Sequence, residues 1–188
     1  MPNLYIIVGC NGAGKTTASY AMFPEMLDCK EFINADEIAK GLSPFQPEKV
    51  AIEAGRIMLM RMNEMMRLQE DFAIETTLAT KSYVNFIRRA QAEGYFVTLI
   101  YFWLESPELA IKRVEQRVRF GGHHVPDDVV VRRYFAGMRN LFSLFIPISD
   151  YWLLVDNSTD PFRIIAEGNR TKIQEIQDED TFFYLKNA

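Results

Sequence analysis

Cysteine is scarce. Cys10 and Cys29 are the two in 188 residues, too few for a disulfide framework, and Cys10 sits where a crosslink would hinder a functional loop. A reducing, cytoplasmic setting follows. The two histidines, His123 and His124, have no cysteine or carboxylate at ligand spacing, which argues against zinc; they fit better as loop-ordering or phosphate-touching groups. Long apolar runs are missing, so nothing reads as a membrane span. Met1-Pro2-Asn3 leads straight into an apolar strand and lacks a signal-peptide pattern. Positive charge is not in excess: the net charge is −4 and the pI is near 5.3, which argues against a general nucleic-acid binder. There is no internal repeat, no low-complexity linker, no Asn-Lys-x-Asp base-reading motif and no Ser-Gly-Gly-Gln-type signature. What is present is a globular composition, 48% hydrophobic, expected to form one domain with a sizeable core.

One stretch organises the rest. Gly9-Cys10-Asn11-Gly12-Ala13-Gly14-Lys15-Thr16 reads G-x-x-x-x-G-K-T, a phosphate-binding loop. Its context is right: Leu4–Val8 is a continuous apolar run, as expected of a buried parallel strand, and a helix can follow Thr16 and end at Pro24. Glycines let backbone N–H groups turn inward at phosphate oxygens, and the helix start adds partial positive charge. Lys15 supplies a mobile full charge, and the Thr16 hydroxyl can ligand Mg²⁺. Gly9, Asn11, Gly12, Ala13, Gly14, Lys15, Thr16 and Thr17 are therefore the expected nucleotide-binding set.

Strands are expected at Lys30–Asn34, Asp71–Glu75, Tyr95–Trp103 and Asp150–Asp156, separated by helices. The longest helix runs from Pro47 to about Gln69, with Val50, Ala54, Ile57, Met58, Met65 and Leu68 on one face. Arg61 falls within that face and is expected to snorkel, the alternative being that it points into a polar cleft. Ser106-Pro107-Glu108 carries helix-start chemistry, and Ala110, Ile111, Val114 and Val118 form the stripe of the helix that follows. Gly121-Gly122-His123-His124-Val125-Pro126 is a loop, and another helix spans about Asp127 to Phe145. Phe162–Glu167 and Thr171–Ile176 read as a hairpin, followed by a short terminal helix. The expected class is α/β: a P-loop kinase-like parallel sheet of about five strands, helices on both faces, a helical lid over 106–145 and a C-terminal hairpin appendage over 160–188.

Ligands bind such sheets beyond the carboxyl ends of the strands, which brings the phosphate loop, Asp36, Glu75 and Thr76 to one rim. A carboxylate at Asp36 could take a proton from a substrate hydroxyl, hold Mg²⁺ through water, or merely cap a short helix, a task Asn34 could also perform. Glu75 and Thr76 could bind substrate hydroxyls. Cations must balance charge on a transferring phosphoryl group. Arg113, Arg117 and Arg119 lie before the Gly-Gly loop; Arg117 projects beside the apolar stripe and Arg119 points away. Arg132 and Arg133 lie on the next helix, and periodicity does not choose between them. Helix, glycine loop and helix with arginines on both is the layout of a lid closing over a nucleotide.

With these residues in view, the chain resembles the zeta-toxin family of P-loop kinases, in particular its compact branch often labelled predicted ABC-type ATPase. The resemblance rests on Gly9–Thr17, Phe32-Ile33-Asn34-Ala35-Asp36-Glu37-Ile38, Ala54-Gly55-Arg56, Phe72–Leu78, Arg117–His123, Val125-Pro126 and Arg132-Arg133-Tyr134, and covers roughly residues 3 to 156. It implies a kinase using ATP and Mg²⁺ on a small molecule; well-studied zeta toxins phosphorylate the sugar of UDP-N-acetylglucosamine. It also implies Lys15 as phosphate ligand, Thr16 as metal ligand, Asp36 as general base and Glu75 as a sugar contact. Arg117 and one of Arg132 or Arg133 would steady the transferring phosphate. No antitoxin segment is evident, so an antitoxin partner would be a separate protein. Competing expectations are another nucleotide or metabolite kinase, and an ATPase or ATP-driven switch acting on a protein.

Overall fold

The computed structural model describes residues 1–26, 29–122 and 124–187, with 21–26 as backbone. Seven strands form one sheet: β1 (Asn3–Val8), β2 (Phe32–Ile33), β3 (Phe72–Thr76), β4 (Phe96–Trp103), β5 (Tyr151–Asp156), β6 (Arg163–Gly168) and β7 (Ile173–Ile176). Their order is β2-β3-β1-β4-β5-β6-β7. The first five are parallel, with β1 central between β3 and β4. Central strands are buried on both faces, hence the nearly continuous apolar runs of β1 and β4, broken in β4 only by the buried Thr98. Val8 pairs with both Thr76 and Tyr101, so β1 and β3 end level while β4 runs on to Trp103, and all three feed their loops onto the same rim. The hairpin extends this sheet: β6 pairs antiparallel with β5, and β7 with β6.

The helices are α1 (Lys15–Met26), α2 (Ala35–Leu42), α3 (Ala51–Leu68), α4 (Tyr83–Ala92), α5 (Pro107–Arg119), α6 (Asp127–Asn140) and α7 (Glu179–Asn187). Several sequence expectations are corrected. α1 runs past Pro24: proline removes one donor but its fixed φ is helical. The second strand shrinks to two residues, because its neighbour Asn34 turns to cap α2. α2 ends at Leu42, with Ser43 as its C-cap. On α3 the buried row is Ala54, Met58, Met62, Met65 and Met66, while Leu68 is 48% exposed. At 3.6 residues per turn Leu68 lies roughly 90° from the centre of that row. Each buried methionine is worth about 1.5–3 kcal/mol over its exposed state, so the row, not the charged face, docks this helix. Arg61 pairs with Glu31 and Glu64 at 2.6 and 2.7 Å; it stays half-exposed rather than entering a cleft.

α5 buries Ala110 and Val114, whereas Val118 emerges at 36% exposure. The helix expected to reach Phe145 changes form: α6 stops at Asn140, followed by a π turn at Leu141–Phe145 and a 3₁₀ turn at Ile146–Ile148. Val130, Tyr134, Gly137 and Met138 bury one face of α6, and Leu141 and Phe145 continue it.

Candidate active site

The loop from Gly9 to Gly14 leaves β1 and delivers Lys15 as the first residue of α1. Gly12 and Gly14 have φ of +82° and +80°, where a side chain is strained. Space is also denied them: a Cβ at Gly12 would lie 2.5 Å from the Ala110 carbonyl oxygen, and one at Gly14 2.5 Å from Asn157 Nδ2. Asn157, just past β5, donates to the Ala13 carbonyl at 2.8 Å and so pins the loop from the neighbouring strand end. Lys15 is 6% exposed; its Nζ donates to the Cys10 carbonyl at 2.9 Å and lies 3.5 Å from Glu75 Oε1. Cys10 is buried, which pushes its thiol up to about 11 despite the nearby Lys15 charge. That thiol stays protonated and is a packing residue.

The end of β3 supplies Glu75. Its Oε2 accepts from Thr16 Oγ1 at 2.7 Å and from Asn34 Nδ2 at 2.8 Å. Asn34 does double duty, since its Oδ1 caps α2 by accepting from the N–H groups of Asp36 and Glu37. Asp36 is thus relieved of capping, and its carboxylate opens onto the rim.

Two adjoining cavities meet there. One, of about 230 Å³, is walled by Asn11, Gly12, Gly14, Lys15, Thr16, Thr17, Asp36, Glu75, Arg113 and Arg117. The other, of about 290 Å³, is walled by Asn11, Lys15, Asn34, Ala35, Asp36, Met58, Glu75, Thr76, Thr77, Thr80, Ser82, Tyr83 and Arg133. Asn11, Lys15, Asp36 and Glu75 line both. The first is cationic and bounded by backbone N–H groups, the chemistry of a phosphate site. The second offers hydroxyls, amides and carboxylates.

Helix α6 places the two adjacent arginines differently. Arg133 lines the second cavity and donates to Asn11 Oδ1 at 3.0 Å, whereas Arg132 is exposed and lines neither. Burial lowers the Arg133 pKa, Asp36 raises it and Arg132 lowers it further, but an arginine remains charged. Arg113 donates to the Ser158 carbonyl at 3.0 Å. Arg117 is held from an unexpected quarter: a Cβ on Gly122 would sit 2.4 Å from Arg117 Cγ. Arg119 is exposed. His123 lies outside the described residues. His124 is exposed and lines a separate groove with Lys40, Phe45 and Gly122.

The loop after β3 is also clamped. Leu78 is fully buried with φ +52°, a costly conformation for a branched residue. Its N–H donates to Thr76 Oγ1 at 3.2 Å, and its carbonyl accepts from Asn140 at 2.7 Å. Gly137 lets α6 approach closely, since a Cβ there would meet the Thr77 carbonyl at 2.8 Å. Asn157, Gly137 and Asn140 were not singled out from the sequence. Asn157 follows a strand end on the functional rim and was open to discovery by that rule; Gly137 and Asn140 look like ordinary helix residues.

Comparison with known proteins gives the family. The zeta toxin family model matches residues 1–144. The chain belongs to the zeta-toxin family. An uncharacterized protein of Haemophilus influenzae is 30% identical over 127 residues, covering 67% of this chain and 88% of that protein. The toxin of the PezAT chromosomal toxin–antitoxin system of Streptococcus pneumoniae superposes with a TM-score of 0.67 at 19% identity, covering 100% of this chain and 85% of that one. A chain of the AvrRxo1-ORF1:-ORF2 complex with ATP gives 0.76 at 17% identity over 99% of this chain. Our chain spans 64% of the length of that one. At such identities the neighbours establish the P-loop kinase fold; family membership adds that this zeta-toxin homologue is a phosphotransferase.

Proposed function

We propose that this zeta-toxin homologue transfers the γ-phosphate of ATP to a sugar hydroxyl of a small molecule, with UDP-N-acetylglucosamine the first acceptor to try. The observation that carries the reading is the pair of cavities sharing Lys15, Asp36 and Glu75. A phosphate donor in one and a hydroxyl acceptor in the other would meet at those three side chains. The hydroxyl, amide and carboxylate lining of the second cavity suits a polyhydroxyl ligand.

The residues present fit Mg²⁺. A hydroxyl at Thr16, a carboxylate 2.7 Å from it and phosphate oxygens make the hard, sparse donor set magnesium takes. Among the described residues no cluster of three histidine, cysteine or carboxylate groups forms a metal cage, so a magnesium ion would arrive with the nucleotide. When bound, it would neutralise phosphate charge. Lys15 would hold the β- and γ-phosphates, and Asp36 would accept the hydroxyl proton as the oxygen attacks phosphorus. Arg117 from the donor side and Arg133 from the acceptor side would balance charge on the moving group. Glu75 and Thr76 would orient the acceptor. Arg132, being exposed, is given no part in transfer. We further propose a separate antitoxin as protein partner, in keeping with the PezAT toxin–antitoxin neighbour, and the cytoplasm as the site of action. Among the described residues no helix is long and apolar enough to cross a membrane.

Labelled ATP incubated with a panel of nucleotide sugars and other metabolites tests this reading, with Asp36→Asn run beside the parent. A labelled sugar product is expected. The variant should bind ATP within a few-fold of the parent while transfer falls by roughly a hundredfold or more, the scale of a general base. Phosphate released without a labelled acceptor would indicate an ATPase instead. Undiminished transfer by Asp36→Asn would remove Asp36 from the mechanism.

A further inference from the structure

Among the described residues, Glu75 is the one carboxylate that touches the lysine and the threonine of the phosphate loop at once. It lies 3.5 Å from Lys15 Nζ and accepts from Thr16 Oγ1 at 2.7 Å, and its side chain is 11% exposed. Asn34 holds it from behind at 2.8 Å, so it does not swing freely away. Arg113 and Arg117 complete the cationic wall of that cavity. A bare triphosphate entering here therefore meets a fixed negative charge beside its γ-phosphate and a lysine already engaged.

We propose that Glu75 makes nucleotide entry conditional on a divalent cation. Without the cation, the carboxylate competes with the phosphates for Lys15 and repels them at short range, in a site too enclosed for water to screen the repulsion well. With the cation seated at the Thr16 hydroxyl, the same carboxylate faces a positive ion and the repulsion becomes attraction. Thr16 can keep donating its proton to Glu75 while its oxygen lone pair meets the metal. Glu75 is thus a positioning residue that selects the metal-bound nucleotide over the free one and so keeps Lys15 off unproductive anions. This rests on the reading of the first cavity as the nucleotide site.

Equilibrium binding of the non-hydrolysable analogue AMP-PNP, with 5′-triphosphate geometry, to the full chain, with magnesium and with chelator, tests the proposal without any turnover. In the parent, magnesium should tighten binding strongly. In Glu75→Gln, metal-free binding should tighten by about tenfold, the size of one charge-assisted hydrogen bond removed from competition, and the gain from magnesium should shrink by at least as much. Glu75→Asp keeps the charge and should retain a magnesium gain closer to the parent's; thermal melts confirm that both variants fold. A glutamine variant with the parent's magnesium gain overturns the proposal while leaving the nucleotide site intact. A parent that binds no AMP-PNP in magnesium overturns both the proposal and the reading beneath it.

Discussion

Gly122→Ala tests how Arg117 is aimed. The new Cβ would lie 2.4 Å from Arg117 Cγ, 3.1 Å from its Cδ and 2.9 Å from its carbonyl oxygen. Carbon atoms rest at about 3.5–4.0 Å from one another, so the overlap exceeds about 1 Å at a near-backbone atom that has little room to yield. The Gly122 N–H also donates to the Arg117 carbonyl at 2.9 Å, which ties the loop to the helix end and blocks an easy retreat. Turning Arg117 off its rotamer costs about 0.5–1.5 kcal/mol, a shift of roughly 2–4 °C per kcal/mol in melting temperature for a chain of this size. Catalysis should suffer more, because a misplacement of about 1 Å costs on the order of a hundredfold. Gly121→Ala is the control: Gly121 has φ +81° but open space around its Cβ position. Alanine there carries about 1–2 kcal/mol of backbone strain and touches nothing in the site. The assay is single-turnover phosphoryl transfer with ATP affinity measured alongside. The expected outcome is a stability loss in both variants, with a drop of roughly a hundredfold in transfer confined to Gly122→Ala and ATP affinity nearly unchanged. Equal transfer by the two variants would refute the steric argument.

Two other predictions concern motion and pH. Hydrogen exchange should show the inward faces of α5 and α6 protected without ligand, since Ala110, Val114, Val130, Tyr134 and Met138 are buried there, and MgATP should add protection mainly around residues 117–126; ligand-induced protection spread evenly over 106–145 would instead support a lid moving as a body. Asp156 is 2% exposed. Burial pushes its carboxyl up, yet hydrogen bonds from Ser158 and Arg163 outweigh burial and hold it below its ordinary value. A carboxyl lowered in the folded state stabilises the fold above its unfolded pKa, about 3.9, and loses that contribution as pH falls through the folded value. Arg163→Ala should therefore be less stable than the parent at pH 7, and the deficit should fade as acid protonates Asp156 below the ordinary carboxylate range; a deficit unchanged by acid, followed by circular dichroism, would mean that Arg163 acts through packing alone.

The motif and the rim were legible because they rest on local rules. A G-x-x-x-x-G-K-T run between an apolar strand and a helix has few other uses, and parallel strands must send their carboxyl ends to one side. Asn34 as the cap of α2 was legible for the same reason. What escaped was whatever depends on which helix packs where. Arg132 and Arg133 are neighbours in sequence, and a rotation of about 100° separates the exposed one from the one that reaches Asn11. Gly122 reads in sequence as a flexible joint, while in the fold it is a contact surface for Arg117. The methionine row of α3 shifted because Met62 and Met66, not Leu68, face the core.

The packing of α6 changes what a lid can mean in this fold. Midway along it Arg133 reaches the phosphate loop at Asn11. About one turn later Gly137 abuts Thr77, and at the helix end Asn140 holds the Leu78 carbonyl of the loop after β3. A single helix thus touches both the phosphate loop and the loop after β3. If it swung as a rigid lid it would have to break the Asn140 bond, strip the buried faces of Tyr134 and Met138, and release a strained Leu78 whose conformation only its neighbours sustain. Uncovering two large side chains alone costs about 3–6 kcal/mol, more than an ordinary domain equilibrium of a few kcal/mol tolerates. The economical motion is at the joint between α5 and α6, where Phe120 is 91% exposed and Gly121 meets nothing. Motion there would leave the α6 contacts with Asn11, Thr77 and Leu78 in place.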